Sequence, residues 1–315
     1  MTTADGANAR PTPEVLCIGE TMAMVTPADA RPVAGAEMFT ITPGGAESNL
    51  AQYLAEMGLA TAWVSALGAD PLGDRILAAL EATGIDTRWV SRDPEANTAV
   101  YVKDPGAGVY YYRRGSAASR LGPEHVAGWP VRTARWVHVS GITPALSPSC
   151  RALLPAVLDA AAHSGAGVSF DVNYRPALWP AEEAARTLRP LADRADVVLV
   201  GRDEAETLWQ TPAAEDIAAL FPGAGRVVVK DGDVEAVEVD RTAGAGGEIL
   251  TRLPARRVDV VEPVGAGDAF GAGYLIALLR GDAATDRLAM GHSLAAWVLG
   301  SPHDNRPGHG PHVRD

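Results

Sequence analysis

A run of small residues followed by one aspartate lies at residues 265–270, with the sequence GAGDAF. Apolar residues with helical spacing come after it, so the glycines would open a helix whose amides and dipole attract an anion. An ionised Asp268 only accepts hydrogen bonds, so it could cap that helix or take a proton from a substrate hydroxyl. The chain contains no P-loop, and no GxGxxG run follows a strand. A plain capped helix and an anion site with a base are both open on this pattern alone.

Alternating strand and helix patterns over most of the chain would position this run. The predicted strands cover 14–19, 62–67, 136–140, 167–171, 197–200, 226–230 and 236–239, and the predicted helices cover 46–57, 71–82, 149–162, 180–188, 203–208, 213–220, 266–279 and 284–299. This alternation is typical of a parallel α/β architecture. Residues 98–114 interrupt it with a predicted hairpin, which could form a small separate sheet together with short strands near 22–42.

Composition and charge exclude several classes of protein. The 315 residues carry 27 basic and 39 acidic side chains, a formal net charge of −12, which argues against nucleic-acid and anionic-membrane partners. No apolar stretch is long enough for a membrane span. The two cysteines, Cys17 and Cys150, form neither a disulfide framework nor a zinc pattern, which favours a reducing, cytoplasmic setting. Lysine chemistry could use only Lys103 and Lys230.

Two separate segments resemble the signatures of the PfkB, or ribokinase-like, carbohydrate kinases. Residues 265–270 resemble the C-terminal signature, residues 44–51 (GGAESNLA) the N-terminal one, and residues 65–73 the strand and turn that follow it. The resemblance spans 14–306 in the order of the family. It implies a ribokinase-like three-layer α/β/α domain with a small β-sheet lid, whose strands come from about 20–43 and 97–115. Flexible tails are expected at 1–13 and 307–315.

Three further segments, at 110–119, 140–147 and 171–179, resemble 2-keto-3-deoxygluconate kinases. The resemblance implies that the sugar acid contacts Gly44, Gly45, Asn49, Tyr101, Tyr111, Arg113, Arg175, Asp268 and Asp304. Arg113 and Arg175 could clamp a carboxylate, since a guanidinium fork fits that group. The tyrosines could stack on the sugar and bond its hydroxyls. Ordinary strand content for the tyrosines and a surface ion pair for Arg175 are the alternative interpretations.

The family's other substrate is ATP with Mg²⁺, and a monovalent cation such as K⁺ is left open. The resemblance assigns nucleotide contacts to Asn173, Gly201, Glu204, Lys230, Gly232, Gly265, Gly267 and His292, with Glu204 also near the metal. The chain departs from the family pattern at several of these positions. Gly201 and His292 stand where asparagine is usual, Glu262 where aspartate is usual, and Glu235 near the usual late glycine of the nucleotide loop. The charge of Glu235 could therefore repel a triphosphate.

The expected reaction is the ATP-dependent phosphorylation of 2-keto-3-deoxygluconate to its 6-phosphate. Asp268 would accept the proton of the attacking hydroxyl, and the amides of Gly265, Ala266 and Gly267 would stabilise the phosphoryl charge. Glycine backbone and metal would supply the charge compensation without a catalytic lysine. The alternatives are another sugar kinase of the family, such as a fructokinase or ribokinase, a nucleoside kinase, and a non-catalytic sugar or nucleotide sensor.

The expected partners are a small sugar acid and ATP, with no nucleic acid and no membrane. The lid should leave an open sheet edge, and an open edge seeks a partner strand. A homo-oligomer formed through the lid is therefore expected.

Overall fold

The computed structural model describes residues 12–242, 247–261 and 264–300. Its strands are β1 (Val15–Ile18), β2 (Met22–Pro27), β3 (Phe39–Gly44), β4 (Thr61–Gly68), β5 (Val90–Asp93), β6 (Val100–Asp104), β7 (Gly108–Tyr112), β8 (Trp136–Ser140), β9 (Gly167–Asp171), β10 (Val197–Gly201), β11 (Arg226–Asp231), β12 (Glu235–Asp240) and β13 (Ile249–Pro254). Its helices are α1 (Ala46–Glu56), α2 (Pro71–Glu81), α3 (Thr143–Leu146), α4 (Pro148–Ser164), α5 (Ala181–Ala192), α6 (Arg202–Trp209), α7 (Ala214–Ala219), α8 (Ala266–Arg280) and α9 (Ala284–Leu299).

Within the described residues, nine strands form one sheet in the order β13-β12-β11-β10-β9-β8-β1-β4-β5. The pairs from β11 to β5 are parallel, and β12 and β13 add an antiparallel edge. Alternate residues of β10 face opposite sides: Val198 and Val200 pack on the core under α4 to α7, whereas Val197 and Leu199 pack on the core under α1, α2, α8 and α9. The predicted three-layer α/β/α architecture is confirmed.

A smaller sheet in the order β3-β2-β6-β7 stands beside the large one. β2 pairs in parallel with β6, and each of the two carries an antiparallel partner at the edge. Its strands come from the two regions assigned to a lid, and we call this sheet the lid. The lid boundaries and the extent of the domain stay predictions, and the expected tails lie almost wholly outside the described residues.

Helix α8 packs closely on three neighbours because it carries glycine where they approach. A Cβ on Gly271 would lie 3.2 Å from a methyl of Leu199 in β10 and 3.3 Å from one of Leu50 in α1. A Cβ on Gly273 would lie 2.5 Å from the carbonyl oxygen of Met290 in α9. The small residues of this segment therefore do permit tight packing, and that packing fixes where α8 begins.

Two edge strands, β5 and β13, were not predicted. β13 alternates exposed and half-buried residues and β5 is half-buried, so neither shows the continuous apolar run of the central strands.

No helix among the residues with described structure is long and apolar enough to cross a membrane.

A buried ionic cluster joins the antiparallel edge to the last two helices. The carboxylate of Glu238 in β12 is fully buried and accepts hydrogen bonds from Tyr274 Oη at 2.8 Å and Arg287 Nε at 3.0 Å. Arg287 also contacts Asp240 at 3.3 Å. Asp240 is also paired with Arg226 at 2.9 Å, whereas the only cation bound to Glu238 among the described residues is Arg287, so the burial of Glu238 depends on Arg287.

Arg287→Met should therefore lower the free energy of unfolding by about 3–5 kcal/mol, because Glu238 would stay buried without its partner. Urea unfolding measures the loss. The matched control is Arg186→Met, at an exposed helix pair, which should change the free energy by less than about 0.5 kcal/mol. Equal small losses in both variants would contradict the role given to the cluster.

Candidate active site

Polar residues collect where the parallel strands of the large sheet end. Glu20 follows β1, Ser140 ends β8, Asp171 ends β9 and Lys230 lies near the end of β11. Helices α1 and α8 begin at the same edge. In the large sheet β1 lies between β4 and β8: the chain first adds β4 and β5 on one side of β1 and later returns to add β8 on the other. Open α/β sheets bind ligands at such a reversal of strand order.

The two signature segments meet at Asp268. Gly265 adopts a left-handed conformation, with φ of 85°, as the N-cap of α8, which puts Asp268 in the first turn. Asn49, in the first turn of α1, donates a hydrogen bond from Nδ2 to Asp268 Oδ2 at 2.9 Å. Loss of hydration raises the pKa of Asp268 to about 6, although the Asn49 hydrogen bond and the charge of Arg175 oppose the shift. A carboxylate of this pKa can accept a proton near neutral pH.

The glycine pair that opens α1 is required by close approaches. A Cβ on Gly44 would lie 2.1 Å from Tyr101 Oη, and one on Gly45 would lie 2.4 Å from the carbonyl oxygen of Glu20. Tyr101 is buried in the lid, and its ring centroid lies 5.8 Å from that of the exposed Tyr111. The lid strand β3 thus leads through Gly45 directly into α1, whose first turn carries Asn49.

The two predicted carboxylate-binding arginines differ in their surroundings. Arg113 contacts Glu20 Oε2 through Nη2 at 2.5 Å and Nε at 2.7 Å, and the Glu20 carboxylate also accepts from Ser116. The charge of Arg113 is therefore already compensated. Arg175 is exposed and donates to the carbonyl oxygen of Tyr174 at 3.2 Å, with no carboxylate partner among the described residues. Arg175 is thus the better placed of the two to meet an anionic substrate.

Beside the start of α8, the predicted nucleotide residues form a second cluster. Lys230 Nζ donates to both oxygens of Asp171, at 3.1 and 2.8 Å. Glu204 accepts from the amides of Gly201 at 2.8 Å and Tyr174 at 2.7 Å. Burial raises the pKa of Glu204 to about 7, and the charge of Lys230 counteracts part of that shift. Gly201 thus contributes its backbone amide, which needs no side chain.

Magnesium suits this cluster if phosphate oxygens supply most of its ligands. No group of three or more His, Cys, Asp or Glu residues that could hold a metal occurs in the part of the chain described. Asn173, with φ of 41°, has a buried Oδ1 that meets no partner, and it lies one residue before the amide that Glu204 binds. Mg²⁺ commonly takes one or two protein oxygens and keeps the rest from phosphate and water. Glu204 and Asn173 fit that role.

Other predicted nucleotide residues take no part in the hydrogen bonds of the Lys230 and Glu204 cluster. His292 is buried in α9, its Nε2 lies 3.1 Å from the carbonyl oxygen of Leu253, and its ring meets Phe270 edge-on. Gly232 occupies the turn between β11 and β12 with φ of 50°. Glu235 pairs with Arg252 at 2.5 Å, and Arg252 also pairs with Glu215 at 2.6 Å, so the two glutamates share one cation. Asp304 and Glu262 lie outside the described residues. The site assignments as a set stay predictions.

The sequence analysis missed Glu47. This residue is 1% exposed in α1, and its Oε1 accepts a hydrogen bond from Ser140 Oγ at 2.6 Å, whereas Oε2 meets no partner. Its carboxyl group fills the space above Gly19, where a Cβ would lie 2.1 Å from Glu47 Cδ. Burial raises the pKa of Glu47 to about 7. The signal available in the sequence was a charged residue inside the otherwise small and apolar helix start.

A family model described as pfkB family carbohydrate kinase matches residues 12–308. The chain belongs to this family, and it is a carbohydrate kinase. The predicted family is confirmed.

Several named proteins are similar to this chain over most of its length. The chain is 33% identical to a 2-dehydro-3-deoxygluconokinase of Bacillus subtilis, covering 92% of this chain and 91% of the relative. It is 31% identical to a 2-dehydro-3-deoxygalactonokinase of Haloferax volcanii, covering 90% of each. Among solved structures, a PfkB protein from Polaromonas sp. JS666 superposes with a TM-score of 0.81 at 35% identity, covering 91% of this chain and 96% of that one.

Glu47→Gln should make stability less dependent on pH. The pKa of Glu47 lies at about 7 against an ordinary value of 4.5, so between these values the folded wild type binds more protons than the unfolded chain and loses stability as pH rises. Glutamine keeps the size and the hydrogen bond to Ser140 but does not titrate. From pH 5 to 8 the free energy of unfolding of the variant should gain about 3 kcal/mol on that of the wild type.

Urea unfolding at each pH gives this difference. The control is Glu182→Gln, at a side chain 83% exposed, which should show no such trend. A difference between Glu47→Gln and wild type that stays constant with pH would mean that the Glu47 carboxyl does not titrate in this range.

Proposed function

We propose that the protein transfers the γ-phosphoryl group of ATP to 2-keto-3-deoxygluconate, also called 2-dehydro-3-deoxygluconate, and forms the 6-phosphate. The observation that carries the proposal is the Asn49–Asp268 hydrogen bond at the start of α8, with Arg175, which has no ion-pair partner in the described part of the chain, close enough to lower the pKa of Asp268. A base and an uncompensated cation beside one helix N-terminus suit a substrate that carries both a hydroxyl and a carboxylate. The names of the relatives support this substrate class.

The reaction follows from the placement of Asp268. The sugar hydroxyl donates its proton to the Asp268 carboxylate while its oxygen bonds to the γ-phosphorus, and the bond from phosphorus to the bridging oxygen breaks to release ADP. The amides of Gly265, Ala266 and Gly267 face the charge that develops on the phosphoryl oxygens. Glu204 and Asn173 would hold a magnesium ion, which would neutralise further charge on the phosphates.

Selectivity for an acid is assigned to Arg175, with Arg113 in support. Arg113 is bound by Glu20, so it offers an oriented donor but little net charge. Arg175 makes no ion pair with a carboxylate of the described residues, and its charge favours a carboxylate over a hydroxyl at the same place. The relatives are named for the gluconate and the galactonate, which differ in one hydroxyl configuration, so we expect both acids to bind.

Two further parts of the proposal concern the association of the chain through the lid and its cellular setting. Its outer strands expose apolar side chains, including Phe39 at 40% and Tyr112 at 67%, and both β3 and β7 are edge strands. We propose that a second copy of the chain covers this surface, because exposed apolar edges favour association. Both cysteines are buried and free, and ATP is an intracellular substrate, so the proposed setting is the cytoplasm.

A panel of sugars separates this proposal from other kinases of the family. With ATP and Mg²⁺, ADP formation should be fastest with 2-keto-3-deoxygluconate or its galactonate epimer and slower with fructose and ribose. Arg175→Ala should lower kcat/KM for the acids about 10- to 100-fold, because one charge-assisted contact is lost, and leave neutral sugars within about threefold. Arg186→Ala, at an exposed site, is the control. A preference for neutral sugars, or equal losses for both classes, would refute the acid assignment.

Asp268→Asn should keep sugar binding and lower kcat by about 100-fold or more, because the amide cannot accept the hydroxyl proton. In the wild type, kcat/KM should fall as pH drops through about 6, where protonation removes the base. Isothermal titration measures sugar binding and a coupled ADP assay measures turnover. Near-normal turnover in the variant would remove Asp268 from the role of base.

A further inference from the structure

Lys230 holds its ammonium group over the end of the neighbouring strand. Lys230 lies in β11 and its partner Asp171 in β9, with β10 between them in the sheet. The two side chains are 18% and 5% exposed, and Nζ bonds both carboxylate oxygens. The ammonium is thus fixed at the carboxyl edge of the sheet and keeps a small opening to solvent.

That opening lies against the start of α8. Apart from the neighbouring residues and backbone of its own helix, a Cβ built on Gly267 would have Lys230 Nζ as its nearest heavy atom, at 3.7 Å. No side chain separates the ammonium from the backbone that opens the helix, because residue 267 is glycine. The space beside Gly267 therefore has a positive charge on one side and helix amides on the other, which is the environment that a phosphoryl oxygen requires.

The charge on this side chain is secure. Burial lowers the pKa of Lys230, but the charges of Asp171, Glu204 and Asp268 together raise it above its ordinary value. The ammonium is therefore present throughout the neutral range. Of these carboxyl groups, Asp171 accepts the hydrogen bonds of Lys230 Nζ. A phosphate oxygen that binds beside Nζ would therefore compete with Asp171 for the ammonium protons.

The choice of lysine at this position is itself informative. Of the 27 basic side chains in the chain only two are lysines, and the buried ion pairs of Glu20 and Glu238 both use arginine. Arginine offers a rigid planar fork, whereas lysine is a compact point charge on a flexible stem that can turn from one oxygen to another. A purely structural bridge to Asp171 has no need of that freedom.

We propose that Lys230 is a catalytic residue that donates a hydrogen bond to a non-bridging oxygen of the transferring phosphoryl group, and that Asp171 is the positioning residue that holds its ammonium. The inference rests on the proposed phosphoryl transfer. Lys230 keeps its three protons throughout, since the hydroxyl proton goes to Asp268 and the electron pair of the breaking bond leaves with ADP. The charge compensation is then shared by backbone, metal and one lysine, which differs from the sequence-based expectation of backbone and metal alone.

Lys230→Met tests the contact by binding as well as by turnover. Isothermal titration with Mg²⁺ compares a non-hydrolysable ATP analogue with ADP, which lacks the γ-phosphate. The variant should lose about tenfold or more of its preference for the ATP analogue, and kcat should fall about 100-fold with the sugar KM within about threefold. Lys103→Met, at the other lysine, should keep the nucleotide preference. A folded Lys230→Met with wild-type preference and kcat would overturn the proposal.

Asp171→Asn distinguishes a catalytic lysine from a structural ion pair. The variant keeps the charge of Lys230 and removes its competitor, so the preference for the ATP analogue should be kept or increased while kcat falls. If the pair is only structural, Asp171→Asn and Lys230→Met should have the same effect on nucleotide preference. Should Lys230→Met fail to fold, the double variant removes both buried charges and carries the test, because it too should lose the preference.

The controls separate this inference from the proposed function. A wild type that forms no ADP with any sugar refutes the kinase proposal. An active wild type whose Lys230→Met variant is unchanged refutes only the role of the lysine.

Discussion

The hydrogen bond from Asn49 to Asp268 is the interaction on which the site depends. It joins the first turns of α1 and α8, which are separated by 219 positions in sequence, and it holds the candidate base at one orientation. Gly271 lets α8 approach both α1 and the sheet closely enough for that bond to form. The lid strand β3 ends at Gly44, just before α1, and Lys230 lies beside Gly267 of α8. The surfaces proposed for the sugar and for the phosphate therefore meet at the Asn49–Asp268 contact.

The buried carboxyl groups of the site reduce the electrostatic repulsion that an acidic kinase would exert on anionic substrates. The net charge of −12 suggests repulsion of the anionic sugar and the nucleotide. Within the crevice, however, the pKa of Glu47 and that of Glu204 are raised to about 7, and that of Asp268 to about 6, chiefly by burial. Near neutral pH these groups carry less than their full charge. Local protonation together with Arg175 and Lys230 would thus reduce the repulsion of the proposed anionic substrates in a globally acidic protein.

The sequence predicts the layers and the location of the site better than it predicts the partners inside it. Apolar runs and helical spacing identify the central strands and α1 because burial imposes those patterns. The edge strand β13 escapes prediction, since a strand exposed on one side lacks that run. The pairing of Arg113 with Glu20, 93 positions apart, and of Lys230 with Asp171, 59 positions apart, follows from the fold alone. Local pattern could propose these side chains but could not say which were already compensated.

The packing of α8 on α1 also orders events during synthesis. Leu50 and Leu54 on α1 belong to the same apolar cluster as Phe270 and Leu275 on α8, so the first helix must wait for nearly the last one to cover it. On the ribosome, where domains begin to fold from the N-terminus, this face stays uncovered until most of the chain has emerged. The nascent chain therefore exposes this apolar face of α1 until α8 is synthesised. The candidate base, Asp268, is part of the same helix that covers it. A chain that terminates before α8 lacks the candidate base and leaves this apolar face of α1 uncovered, which favours aggregation.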